Sequence, residues 1–236
     1  MTDKEIILEY LEGGSNEKLS MRGAKLSNMF LVKVNLANVD LSYADLSGTN
    51  LTKANLSGAN LVGANLKDVK LRGADLSNAN ISGANLSGAN LTRAKLSYSK
   101  LVESNLTDAV FTGANMVEAN LMFANLHNTN MIGVHLVKAE LSFVNLSSVN
   151  LSSANLAGAY LCEATMCGTN LSGAELFYAD LTGANLTNAN LSGADFSYAN
   201  LNGANLQGAK LLDTVLFTVD KNLTKKSERM LVDKVV

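Results

Sequence analysis

From Met21 to Leu216 every fifth residue is large and apolar: thirty-three of these forty central positions are Leu, and the others are Met, Ile81, Phe111 or Phe196. Two residues before each, a second column is small, with Ala in twenty-six units and residues such as Val34, Thr49, Val69 and Ser99 in most of the others. The residue between the columns is Asn or Asp in twenty-six units, as in Ala54-Asn55-Leu56 and Ala74-Asp75-Leu76. A period of five fits neither a 3.6-residue helix nor a sustained strand alternation, so the chain must turn once in every unit. Within a unit the small residue and the central one are two apart and share one face of a short extended segment, while Asn or Asp points to the other. That gives each segment an inside and an outside.

The corners are encoded as well. Sixteen of the eighteen Gly residues stand two places after the central residue. Gly there, or Asn as at Asn28 and Asn78, suits the positive φ that a type II turn needs at its third position. No Pro occurs anywhere, as expected where backbone N–H groups bond to a neighbouring layer and a Pro would delete such a bond.

Forty in-frame copies, in runs such as ADLSNANISGANLSGANLTRA from Ala74 to Ala94, closely resemble the pentapeptide-repeat family and its motif A(D/N)LXX. The resemblance implies an all-β solenoid: a right-handed quadrilateral parallel β-helix with four units per coil, about ten coils, and short helical caps at the termini. Coils stacked at ~4.8 Å would make a rod on the order of 48 Å long, filled by Leu and Ala. The expected organisation is a capping helix in residues 1–18, the β-helix in 19–220, and a capping or dimerisation segment in 221–236.

A solenoid exposes an apolar cross-section at each end. Thr2-Asp3-Lys4-Glu5 reads as a capping box that opens a short helix, with Ile6, Ile7, Tyr10 and Leu11 on one face and Gly13-Gly14 at its end. This helix is expected to plug the first coil. Beyond Asp220 the frame breaks, and Leu223, Met230, Leu231 and Val235 form a second apolar stripe, which suggests a homodimer through this segment. Lys225 and Lys226 near the start of that segment oppose a helix dipole.

Charge and composition narrow the function. The formal net charge of -2 argues against direct nucleic-acid binding, which needs clustered positive charge. The first twenty residues lack the features of a signal peptide, and no apolar run is long enough to span a membrane, so a cytoplasmic location is expected. Cys162 and Cys167 read as small hydrophobes or surface thiols of a reducing compartment. His127 and His135 fall on opposite sides of a four-sided coil and cannot share a metal. No nucleophile, base and orienting group can be assembled, and no catalytic residue, metal or cofactor site is expected.

The outer surface can be sorted by residue number modulo twenty. One side carries Lys33, Lys53, Lys70, Arg72 and Arg93 with no acid before Asp213, a basic strip. Another is mildly acidic, with Asp40, Glu103, Glu140, Glu163 and Asp180 against Arg22 and Lys100. On that acidic side Met122, Phe123 and Phe143 put large apolar groups in slots that should face water, which suggests a patch for a partner or for self-association. Tyr178 and Tyr198 stack on the neighbouring side, near Phe177 and Phe217, and form a third candidate patch.

These features point to a non-enzymatic protein–protein interaction scaffold or regulatory binding protein, with a protein partner. The family resemblance also raises an alternative, protection of topoisomerase: some members imitate duplex DNA and bind DNA gyrase. The repeats hold thirteen acids before Asp220 against twelve bases, too balanced for a phosphate-like potential. An ice-binding Ser/Thr face is interrupted by Arg72, Ile132 and Leu212. The helix leading directly into repeats resembles bacterial, especially cyanobacterial, members.

Overall fold

The structure is a computed structural model and describes residues 2–13 and 20–216. Beyond one helix, it is a single rod, a right-handed four-sided β-helix. Each outward residue forms a parallel bridge with the residue twenty places on, from Ser20 with Asp40 to Asp195 with Val215, without one slip in register. Twenty residues, and therefore four units, make one coil.

The central column fills the axis. Every central residue from Met21 to Leu201 is buried, and the small column packs between them. Burying a Leu side chain stabilises by roughly 1.5–3 kcal/mol, so this stack is the main favourable contribution to folding. Where Ser or Thr replaces Ala, its hydroxyl donates to the carbonyl of a central residue: Ser99 to Leu96 at 2.7 Å, Ser104 to Leu101 at 2.6 Å and Thr49 to Leu26 at 2.7 Å. No buried side-chain nitrogen or oxygen among the described residues lacks a partner.

One unit shows how the backbone is satisfied. In Ala84–Gly88, Asn85 N–H donates back to Ala64, while Leu86 and Gly88 donate forward to Asn105 and Thr107. Ala84 N–H closes the preceding turn onto Ile81 at 3.1 Å. Ser87 has no neighbouring carbonyl, and Asn85 Oδ1 accepts its N–H at 3.1 Å. All five donors are used, which explains the absence of Pro. Every Asn or Asp of the outward column, from Asn35 to Asn205, accepts from the N–H two residues on in this way. The short amide or carboxylate has the reach for this bond, as in an Asx turn. Asn residues one coil apart also bond to each other, as Asn105 Nδ2 does to Asn85 Oδ1 at 3.2 Å.

Each corner position has positive φ, from Gly23 to Asp213: sixteen glycines and twenty-three other residues, including Lys33, Arg93, Phe123 and Tyr178. The left-handed conformation costs a non-glycine residue roughly 1–2 kcal/mol. It persists because most corners are tied to the next coil, as Lys33 N–H is to Thr52 at 3.0 Å and Tyr178 N–H to Ser197 at 3.0 Å. Composition at the corner therefore does not decide the fold.

The helix α1 spans Asp3–Gly13. Its capping box is reciprocal: Glu5 N–H donates to Thr2 Oγ1 at 3.3 Å and Thr2 N–H to Glu5 Oε2 at 2.7 Å. Ile7 is fully buried in the same core as the repeats, with Ile6 and Leu11 packed against it. Asp3 Oδ2 accepts from Lys25 N–H at 2.8 Å, and Lys4 Nζ donates to Ser27 carbonyl at 3.1 Å. Residues 221–236, with Leu223, Met230, Leu231 and Val235, lie outside the described residues, as does Phe217. No helix among the described residues is long and apolar enough to cross a membrane.

Candidate interaction surface

Corner side chains are the outermost groups of the rod, and they lean toward the next coil. A Cβ added to Gly63 would lie 2.7 Å from the ring of Tyr43, and one added to Gly158 would lie 3.4 Å from Lys138 Cγ. A Gly corner is thus a seat for the side chain of the preceding coil, besides being free to adopt positive φ.

On the acidic side one corner column reads Glu103, Phe123, Phe143, Glu163 in consecutive coils. Phe123 is 59% exposed and Phe143 60%, and Met122 beside them is half-buried. Glu140 borders the same patch, with Tyr160 one coil further on and also exposed. The result is an apolar ridge enclosed by carboxylates. The two Phe rings share a corner position in successive coils, but among the described residues the close ring pairs are elsewhere.

Those pairs lie on the adjoining side. Tyr178 and Tyr198 stack with centroids 5.0 Å apart and planes 12° from parallel, and Phe177 meets Tyr178 edge-on at 6.1 Å and 75°. Such geometries are the favoured ones for aromatic pairs. Near the first coil, the Arg22 guanidinium lies 4.5 Å over the ring of Tyr43 and donates to Ser42 Oγ at 3.1 Å.

The basic strip is exposed at Lys33, Lys53, Lys70, Arg72 and Arg93. Its charges are not neutralised locally, because the one ion pair among the described residues joins Lys95 and Asp75, at 3.4 Å. Several outward carboxylates serve the lattice. The Ser42 hydroxyl holds the Asp40 carboxyl below its ordinary range, and the Ser47 hydroxyl does the same for Asp45. Burial, with the Asp180 carboxylate next to it, pushes the Cys162 thiol up. Both cysteines are half-buried free thiols. His127 and His135 are exposed, and no three His, Cys, Asp or Glu among the described residues could hold a metal ion.

A family model described as pentapeptide repeats matches eight copies, over residues 20–58, 49–88, 59–97, 89–122, 119–155, 145–177 and 174–211. Among solved structures the chain is similar to HetL, a pentapeptide repeat protein involved in heterocyst differentiation regulation from the cyanobacterium Nostoc sp. strain PCC 7120. The identity is 34% over 93% of this chain and 98% of that one, with a TM-score of 0.51. It is also similar to QnrB1, a plasmid-mediated fluoroquinolone resistance protein, at 25% identity over 92% of this chain and 97% of that one, with a TM-score of 0.44. No curated protein matches the chain.

Proposed function

We propose that this chain, which belongs to the pentapeptide-repeat family, is a regulatory protein-binding scaffold that acts without catalysis. The observation that carries the reading is the ridge of Met122, Phe123 and Phe143, with both rings more than half exposed at one corner of successive coils. Large apolar groups held outward on a rigid backbone lose little entropy on binding, and a patch of this kind with a charged rim marks an interaction site. The partner would offer an apolar side chain flanked by basic groups, complementary to Glu103, Glu140 and Glu163. The end-to-end likeness to HetL, a protein involved in regulation, supports the same reading.

The test is Phe123→Ser combined with Phe143→Ser. Both side chains lie outside the core, so the double variant should keep the circular dichroism of the parent while losing a partner that the parent retains from an extract of its source cells. Unchanged partners and an unchanged oligomeric state would overturn the proposal. A gyrase supercoiling assay on the purified chain separates it from the alternative: the scaffold reading expects no effect, whereas protection or inhibition would replace it with topoisomerase protection.

A further inference from the structure

Arg22 over Tyr43 shows how this lattice holds a guanidinium. The cation comes from the position after the central residue of one coil, and the ring comes from the corner of the next. Asp40, three residues before Tyr43, supplies a carboxylate close enough for Arg22 to act on it electrostatically. Because corner rings lean forward, Tyr43 turns one face to Gly63 and the other back to Arg22.

The same positions recur around Tyr178. Its forward face is closed by the stacked ring of Tyr198. Three residues before it stands Glu175, in the place of Asp40, and on the preceding coil Ala157 and Gly158 stand in the places of Arg22 and Gly23. Tyr178 thus keeps the ring and the acid of the Tyr43 arrangement and lacks the cation. Despite the stack it is 64% exposed, against 55% for Tyr43 beneath its arginine. Lys138 lays its stem over Gly158, yet among the described residues Arg22 and Tyr43 make the one cation–π contact. Other corner rings do not repeat the pattern. Tyr98 has Lys95 in the place of the acid, and the backward neighbours of Phe143 and Tyr198 are Met122 with Phe123 and Phe177 with Tyr178.

We propose that the backward face of Tyr178, with Phe177 as its edge and the Glu175 carboxylate held one coil back by Asn155 Nδ2 at 2.6 Å, is a guanidinium seat that receives an arginine side chain from a protein partner. Arginine is favoured over lysine because a planar, weakly hydrated cation can lie flat on a ring and still donate sideways to a carboxylate. The seat stands apart from the Phe123–Phe143 ridge, and either can fail without the other.

The test titrates acetyl-Gly-Arg-Gly-amide, with lysine and citrulline counterparts, into full-length protein whose tyrosine rings carry 13C, the Tyr178 signal being assigned with Tyr178→Phe. The arginine peptide should shift the Tyr178 ring saturably, with a dissociation constant on the order of millimolar. Lysine should bind several-fold more weakly and citrulline should not bind. Glu175→Gln should weaken arginine roughly fivefold without disturbing the ring stack. Arg22→Ala should uncover Tyr43 and make it a second responding ring. A Tyr178 signal that ignores arginine, an equal response to citrulline, or a silent Tyr43 in Arg22→Ala would each overturn the proposal.

Discussion

The middle of the rod and its first coil are built from the same five columns, yet they are held by different means. In the middle, Leu101 N–H donates forward to Asn120 and Lys100 N–H donates back to Ala79, so each layer is clasped on both sides by backbone. The first coil has no layer behind it. There Asp3 accepts the Lys25 N–H, Lys4 donates to Ser27, and Ile7 covers the axis. Any sequence with the right period can extend the middle, whereas the end depends on particular side chains placed by one helix. A defect in the middle is also trapped between two fixed neighbours, while one at the end can relax.

The largest effect should come from Leu101→Ala. The residue is fully buried in mid-rod, and the backbone ladders above and below keep the cavity from collapsing. A loss of about 4 kcal/mol is expected, near the upper part of the range for such changes, read from urea denaturation. Ile7→Ala deletes similar apolar volume at the end, where α1 can settle into the gap, and should cost about 2 kcal/mol. Equal losses at the two sites would break the contrast between trapped and relaxing defects.

Asn85→Ala probes what the outward column does in the middle. It strands the Ser87 N–H and removes the acceptor of the Asn105 amide, which should cost about 1–2 kcal/mol. Asn85→Asp keeps the oxygen and should cost less than half as much. At the end, Asp3→Ala removes a single acceptor and should cost about 1 kcal/mol, visible as earlier proteolysis or hydrogen exchange near Lys25 rather than as loss of the whole rod.

These contrasts follow what could be read from the residues alone. The axial columns and the turn at each unit were legible because one physical demand repeats forty times, and the Thr2–Glu5 box because it is local. The outward Asn and Asp were legible as a position but not as acceptors, since the need appears only once the other four donors of a unit have been placed. Positive φ at Lys33 or Tyr178 was hidden, because the penalty for a non-glycine corner is outweighed by pairing with the next coil. Sorting by twenty found Met122, Phe123 and Phe143, the basic strip, and Tyr178 with Tyr198. It could not show that corner side chains lean forward, which turns the backward face of Tyr43 to Arg22 and that of Tyr178 to the coil carrying Ala157. Asp3 and Lys4 escaped for a related reason: their partners are set by which open edge the helix meets.

The smallest effect concerns acid. Asp45 Oδ1 accepts from Ser47 Oγ at 2.7 Å, from Ser47 N–H at 3.1 Å and from Asn65 Nδ2 at 3.0 Å, and the Ser47 hydroxyl does most to hold its carboxyl below the ordinary carboxylate range, against an opposing effect of burial. A carboxyl with a lower pKa in the folded state binds fewer protons there than in the unfolded chain. Its contribution is therefore complete above the unfolded value of about 3.9 and is lost as pH falls through the lower folded value. Asp45→Asn keeps an oxygen for the same donors and removes the titration. The two proteins should have similar melting temperatures at pH 7, and the parent should lose more than the variant between about pH 4 and pH 2. Parallel curves through that window would mean that the outward column needs only an acceptor oxygen and draws nothing from its charge, in the middle as at the end.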